Sequence, residues 1–499
     1  MGPPDLILEA PQPAAVPDSG PDVYWNFVFQ PDVPQTRYVR AIEIRPGGRR
    51  LVHHANLLID RTASAHLQEI AGGKGFPGMD VTILRSPFDP DGHFLFWKPG
   101  SVPHTEPEGF AWRLDPGNEL VLNTHLHPSG KPEEVRPSIG LYFSGTPQKR
   151  FPLLVQLEND RALNIPPGVS DFPVSDDFRL PMDVDVLAIY PHAHYLGKLL
   201  EAYATLPDGS RKWLIRIPRW DSNWQAVYDY REPLFLPKGA VISMRYHYDN
   251  SAANVRNPNQ PPRRVRAGDQ STDEMAHLWL QLLPRGPGDR RRELQEAVMR
   301  HRLEKNPADF SANFNLGAVK LSRLDAPGAV TMLEAAVRIQ PARGDARNML
   351  GLALATTGRL AEAIAEYQIA LQEQPALASA RFNLANALAR SGRLEEAIQN
   401  YRTVKESDPN FEEVRLRLAQ ALSAHARQLK SEDRVAAATA ECRQAIALNP
   451  ADSMTHGDLG DLLMLQGRFA EALTELDKAL QLDPSNIEAH DNREILLRR

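Results

Sequence analysis

The chain has 499 residues, more than one hydrophobic core holds, so several domains are expected. With 42% hydrophobic residues, 24% charged residues and a formal net charge of -6, it has the composition of an ordinary soluble protein and no basic patch of the nucleic-acid-binding kind. No stretch of eighteen apolar residues occurs, which excludes a spanning helix. The single cysteine, Cys442, excludes an intrachain disulfide and any cysteine-based metal site.

Residues 1–21 read as a Pro-rich linker and lack the basic-then-apolar pattern of a signal peptide. From there to about residue 285, short β-branched and aromatic runs alternate with Pro/Gly turn signals. Strands are expected near 24–29, 37–44, 51–59, 119–126, 138–143, 172–180, 184–190, 200–206, 212–217, 240–248 and 276–283. This texture predicts two antiparallel β-sandwiches, over residues 22–152 and 153–285, joined around Pro147 to Asn164. Residues 286–306 read as a polar linker followed by a helix near Leu294 to Leu303.

Beyond residue 306 the chain repeats. Pro307, Pro341, Pro375 and Pro409 recur every 34 residues, and Pro450 and Pro484 keep that spacing after one longer interval. Leu316, Leu350, Leu384 and Leu418 share the register, as do Ala329, Ala363 and Ala397, while Gly358 and Gly392 fall at turns. This is the tetratricopeptide pattern of stacked helix pairs, so residues 307–499 are expected to form an all-α solenoid. Such an array holds a protein partner or braces the domains before it. Extra residues around His425 to Asp433 are expected to lengthen both helices of the fourth repeat.

The β-rich half carries the chemistry-bearing residues. His192 and His194 close the strand 184–190 and, at i and i+2, share a face as a chelate requires. Two solvated histidines are the plain alternative. His53 and His54 are adjacent and point to opposite faces of a regular strand, so they share a metal only if the backbone bulges there. His125 and His127 share a strand face. Met275 is either a ligand or core filling. Imidazoles with a thioether fit copper better than zinc. An iron triad would need a carboxylate such as Asp273 or Glu274 beside two histidines.

The segments HHANLL, LVLNTHLH, HAHYLGK and DEM, in that order, resemble the copper type II, ascorbate-dependent monooxygenases, the family of peptidylglycine- and dopamine β-hydroxylating enzymes. The similarity spans roughly residues 22 to 284. It implies two jelly-roll-like sandwiches and two coppers. The first copper would take His53, His54 and His125 and transfer electrons. The second would take His192, His194 and Met275 and serve dioxygen-dependent hydroxylation of an aliphatic C–H, with ascorbate or another external reductant supplying electrons.

The chain departs from that family in two ways. It has no disulfides. The Arg and Asn that fix a peptide carboxylate are replaced by Tyr190 and His277, so an apolar or aromatic small substrate is expected, with Tyr190, Trp279 and Trp224 near it. His247 is expected in the core or beside a ligand. The resemblance implies a periplasmic or extracellular protein if a leader is missing from this sequence, whereas the chain taken as complete, with no export signal, reads as cytoplasmic.

Overall fold

The computed structural model describes the chain except residues 1, 49, 62–64, 70–74, 79–91, 269, 271, 408–411 and 499. The chain divides into two compact units, 1–307 and 308–499. No described helix is long and apolar enough to cross a membrane.

The amino-terminal unit is mostly β. Its first part runs through β1 (Leu6–Glu9), β2 (Ala14–Val16), β3 (Val23–Phe29), β4 (Arg37–Arg45), β5 (Val52–Asp60), β6 (Phe76–Pro77), β7 (Phe96–Trp97), β8 (His104–Thr105), β9 (Trp112–Leu114), β10 (Glu119–Leu126), β11 (Glu133–Val135) and β12 (Ser138–Ser144). One sheet has the order β1-β12-β4-β8, with β9 also on β4. A second has the order β6-β3-β10-β5-β7, and β2 pairs β11. Val39, Ile42, Ile139 and Leu141 of the first sheet share one core with Phe27, Phe29, Leu57, Leu120 and Leu122 of the second. Each such fully buried side chain contributes roughly 1.5–3 kcal/mol, which lets the part hold together without a disulfide.

The second part runs through β13 (Leu153–Glu158), β14 (Asn164–Ile165), β15 (Phe172–Arg179), β16 (Val184–His192), β17 (Gly197–Thr205), β18 (Arg211–Ile217), β19 (Tyr228–Leu236), β20 (Val241–Tyr248), β21 (Val265–Arg266) and β22 (His277–Pro284), then α1 (Arg291–Lys305). The sheets are β13-β22-β16-β19, β15-β20-β17-β18 and β14-β21. Val184, Val186, Leu278, Leu280 and Leu282 share a core with Val174, Leu200, Ile242 and Met244.

Two expectations need correction. Residues 1–21 are not a free linker: Leu6–Glu9 pairs with Ser138–Leu141, and Ala14–Val16 pairs with Glu133–Val135, because alternate apolar residues there bury Ala10, Ala14 and Val16. The helix within 286–306 is no linker element either, since α1 seats Leu294 and Val298 in the second core. His301 and Lys305 reach Asp176 of β15 from the same helix. β13 begins at Leu153, where the second part is expected to start, and its register with β22 places it there. The edge strand β19 was also not expected.

In the carboxy-terminal unit, α2 (Phe310–Ser322) and α3 (Ala326–Ile339), α4 (Gly344–Thr356) and α5 (Leu360–Glu373), α6 (Ala378–Arg390) and α7 (Leu394–Ser407), α8 (Glu412–Ser431) and α9 (Val435–Leu448), and α10 (Ser453–Leu465) and α11 (Phe469–Leu482) form successive pairs, followed by α12 (Ile487–Leu497). Gly358 and Gly392 take positive φ of 85° and 81° at the turns, a conformation that glycine adopts without steric cost. The extra residues of the fourth repeat fall in one helix, not two: α8 has 20 residues, whereas α9 has the 14 seen in α7 and α11. Cys442 is fully buried in α9 among Leu459, Leu462 and Leu463.

Candidate metal centres

In β10 the even residues Leu120, Leu122 and Leu126 enter the main core, which turns Glu119, Val121, Asn123 and His125 to the other face. Register then sets His125 opposite Tyr24 of β3 and His54 of β5. The ladder shifts between His125 and Leu126, because Leu126 pairs with Val52 and leaves His53 as an extra residue. This bulge is the condition under which adjacent histidines can serve one metal. One nitrogen each from His53, His54 and His125 lies within 4.8 Å of the others. Ring centroids are 5.3 Å apart for His53–His54, 5.2 Å for His53–His125 and 4.9 Å for His54–His125.

Sequence reasoning missed Asp22. Its carboxylate accepts from His125 Nε2 at 2.9 Å and from His127 Nδ1 at 2.6 Å. His125 Nδ1 is buried with no hydrogen-bond partner. A histidine held through one nitrogen with the other left free is the arrangement that presents a ligand to a metal. Tyr24 stacks on His125 at 4.5 Å and fixes its plane. Asp22 precedes β3 by one residue, two before Tyr24, so strand pairing was the signal that could have found it.

Burial lowers the pKa of all three ligand candidates. His54 lies well below the ordinary imidazole value, through desolvation and then the neighbouring His125 and His53 rings. His125 is pushed down to about 4 by desolvation, which outweighs the Asp22 bond. His53 is lowered by the same burial. Near neutral pH these rings are uncharged and their lone pairs are available for coordination.

A second bulge builds the second set. Val184 and Val186 of β16 point into the core, but the ladder shifts between Val186 and Ala188, after which Ile189 takes the core side. Tyr190 and His192 are thereby turned outward, opposite Trp279 and His277 of β22. His192 and His194 lie 5.3 Å apart at 89°.

Each of these rings is held through Nδ1. His192 Nδ1 donates to Gln225 Oε1 at 2.6 Å, and Gln225 is fixed by donating from its own nitrogen to the Ser222 carbonyl. His194 Nδ1 donates to the Asp273 carbonyl at 3.0 Å. Burial, followed by like-charged neighbours, lowers His192 well below the ordinary value, and burial lowers His194.

Glu274 ties Met275 to this pair. Its carboxylate is fully buried and accepts the backbone N–H of His194 at 2.8 Å, of Leu196 at 2.6 Å and of Met275 at 3.1 Å. Met275 is 6% exposed, and Tyr248 donates to its carbonyl at 2.7 Å. Glu274 is therefore engaged as a backbone clamp, whereas Asp273 lends its backbone carbonyl to His194 and keeps its side-chain carboxylate, which accepts the Gln270 N–H at 3.3 Å. Desolvation raises the Glu274 pKa to about 8 against its backbone hydrogen bonds.

The remaining candidates fall outside both sets. His247 is partly exposed on β20 and meets Asp171 at 3.0 Å. His277 meets Asp160 at 2.8 Å. Trp224 is 66% exposed, with Lys98 Nζ 4.6 Å from its ring centroid.

Comparison with known proteins reaches the other unit. A family described as TPR repeat matches residues 460–493, and families described as Tetratricopeptide repeat match 314–378 and 354–422. No curated protein matches the chain. Among solved structures, YrrB, described as a TPR protein with an unusual peptide-binding site, is 17% identical with a TM-score of 0.33, covering 39% of this chain and 97% of that one. A MamA structure from Desulfovibrio magneticus RS-1 is 17% identical with a TM-score of 0.29, covering 36% and 97%. Another MamA structure is 22% identical with a TM-score of 0.30, covering 36% and 96%. The carboxy-terminal region of this chain is a tetratricopeptide repeat solenoid.

Proposed function

We propose that this chain is a protein-docking scaffold whose amino-terminal unit consists of two jelly-roll-like sandwiches with two copper centres, and that those centres make it a copper-dependent monooxygenase. The repeat families at 314–378, 354–422 and 460–493 support the docking role, because such arrays present surfaces to protein partners. The observation that carries the metal reading is the bulge that gathers His53, His54 and His125 with a buried, unpartnered His125 nitrogen.

The donor sets fit copper. Three neutral imidazoles accommodate both copper oxidation states, and two imidazoles with a thioether favour the reduced one. His53, His54 and His125 would hold one ion, and His192, His194 and Met275 the other. When bound, copper supplies one-electron redox chemistry toward dioxygen, with ascorbate or a similar external reductant as the electron source. The chain's own part is to hold the ligands. Asp22 fixes His125, Gln225 fixes His192, the Asp273 carbonyl fixes His194, and Glu274 fixes the backbone between His194 and Met275. Tyr190, in place of the family's Arg, removes a carboxylate clamp and favours a small apolar or aromatic substrate.

Copper reconstitution followed by metal analysis tests the reading, with two ions per chain expected. His192→Ala and Met275→Ala are each expected to abolish incorporation of labelled dioxygen into product while the circular dichroism spectrum is retained. Unaltered turnover in both rejects the site assignment. A second reading, a scaffold with non-catalytic copper, is favoured by Tyr190 and His277 standing where peptide-hydroxylating enzymes carry their clamp. Oxygen uptake with no hydroxylated product across broad substrate screens would establish it.

A further inference from the structure

The face of β10 and β5 that carries His125 and His54 and the outward face of β16 and β22 belong to one compact unit, and aromatic rings fill the space between them. Phe96 lies on the edge strand β7, opposite Asn56, and so on the same face as His54 two residues earlier. Its ring is 5.7 Å from that of His54 and 5.6 Å from that of Tyr190. Tyr190 in turn lies 6.0 Å from the ring of His192, and Phe94 packs on it edge-on at 6.3 Å. The Tyr190 hydroxyl donates to Gln225 Oε1 at 3.1 Å, the oxygen that also holds His192. Gln281 of β22 donates to the Gly92 carbonyl at 2.7 Å, two residues before Phe94. Each ring from His54 to His192 therefore touches the next.

We propose that Phe96 and Tyr190 form a packed aromatic bridge by which an electron passes directly from the first histidine centre to the second. The inference rests on the copper reading above. Tunnelling through atoms in van der Waals contact is faster than across an equal width of solvent, since every through-space gap attenuates the electronic coupling. The step is a one-electron exchange: copper held by His53, His54 and His125 is oxidised from Cu(I) to Cu(II), and copper held by His192, His194 and Met275 is reduced from Cu(II) to Cu(I). No bond breaks and no proton moves, and the external reductant restores the first centre. The Tyr190 hydroxyl serves to hold the ring, and the ring itself carries the coupling.

The experiment uses the full chain loaded with Cu(II), reduced by a photosensitised flash and freeze-quenched at increasing times, with the Cu(II) EPR signal of each centre as the readout. Phe96→Leu and Tyr190→Leu are each expected to slow transfer between the centres severalfold, with copper content and the EPR parameters of both centres unchanged. Tyr190→Phe is expected to keep the wild-type rate. Two coppers with wild-type transfer rates in both Leu variants overturn the bridge and leave the copper reading standing. A wild-type chain that holds fewer than two coppers overturns the copper reading and the bridge together.

Discussion

The two units place their information differently. In the repeat array, contacts join neighbours in sequence, and a 34-residue period carries the architecture. In the amino-terminal unit, His54 meets His125 across 71 positions and Glu274 meets the His194 amide across 80. Chemistry is assembled where distant strands pair, and two bulges decide which side chains face one another. The contrast implies that a change in one unit leaves the other intact, and that the two histidine sets fail separately.

The largest expected effect comes from Glu274→Ala. It strands the buried N–H groups of His194, Leu196 and Met275, at about 1–3 kcal/mol each. Denaturant titration should show the amino-terminal unit destabilised by several kcal/mol, and metal analysis should show one copper lost and one kept. Loss of both ions would break the idea of independent centres.

Asp22→Asn is next. It weakens the hold on His125 and His127, so copper affinity at the first centre should fall by about 10–100-fold while the second stays unchanged. Competition with a chelator reads this directly.

Gly351→Ala probes the other unit. A Cβ there would stand 2.6 Å from the Tyr367 ring. Overpacking of this kind costs about 1–3 kcal/mol, expected in the thermal unfolding of the array with copper stoichiometry untouched.

The smallest effect concerns pH. Burial alone would raise Asp176, but bonds from His301 and Lys305 outweigh it and hold its pKa below 3.8. A depressed carboxylate contributes stability that is present above the unfolded value and is lost as pH falls through the folded one. Acid titration followed by hydrogen exchange in α1 should show that helix loosening in this window, and Asp176→Asn should remove the dependence.

The sequence made the repeats legible because proline and small residues recur in register. It made most strands of the first unit legible through alternation, and it flagged that His53 and His54 needed a bulge. It hid β1 and β2, whose Pro-rich surroundings look like linker, and it hid the edge strand β19. The supporting residues Asp22 and Gln225 and the clamp role of Glu274 were illegible for one reason: each acts through tertiary pairing that no local pattern encodes. Tyr190 was noticed as a replaced clamp, but its packing against Phe96 exists only once two sheets are brought face to face.

The lone thiol of Cys442 has a practical consequence. It lies sealed inside the array, and burial pushes its pKa up to about 12. Strong reductants can therefore be used on copper-loaded samples without cleaving any cystine, and thiol-directed dyes should leave the native molecule unlabelled. A cysteine placed on either unit would then be the sole reactive handle for attaching a spectroscopic probe.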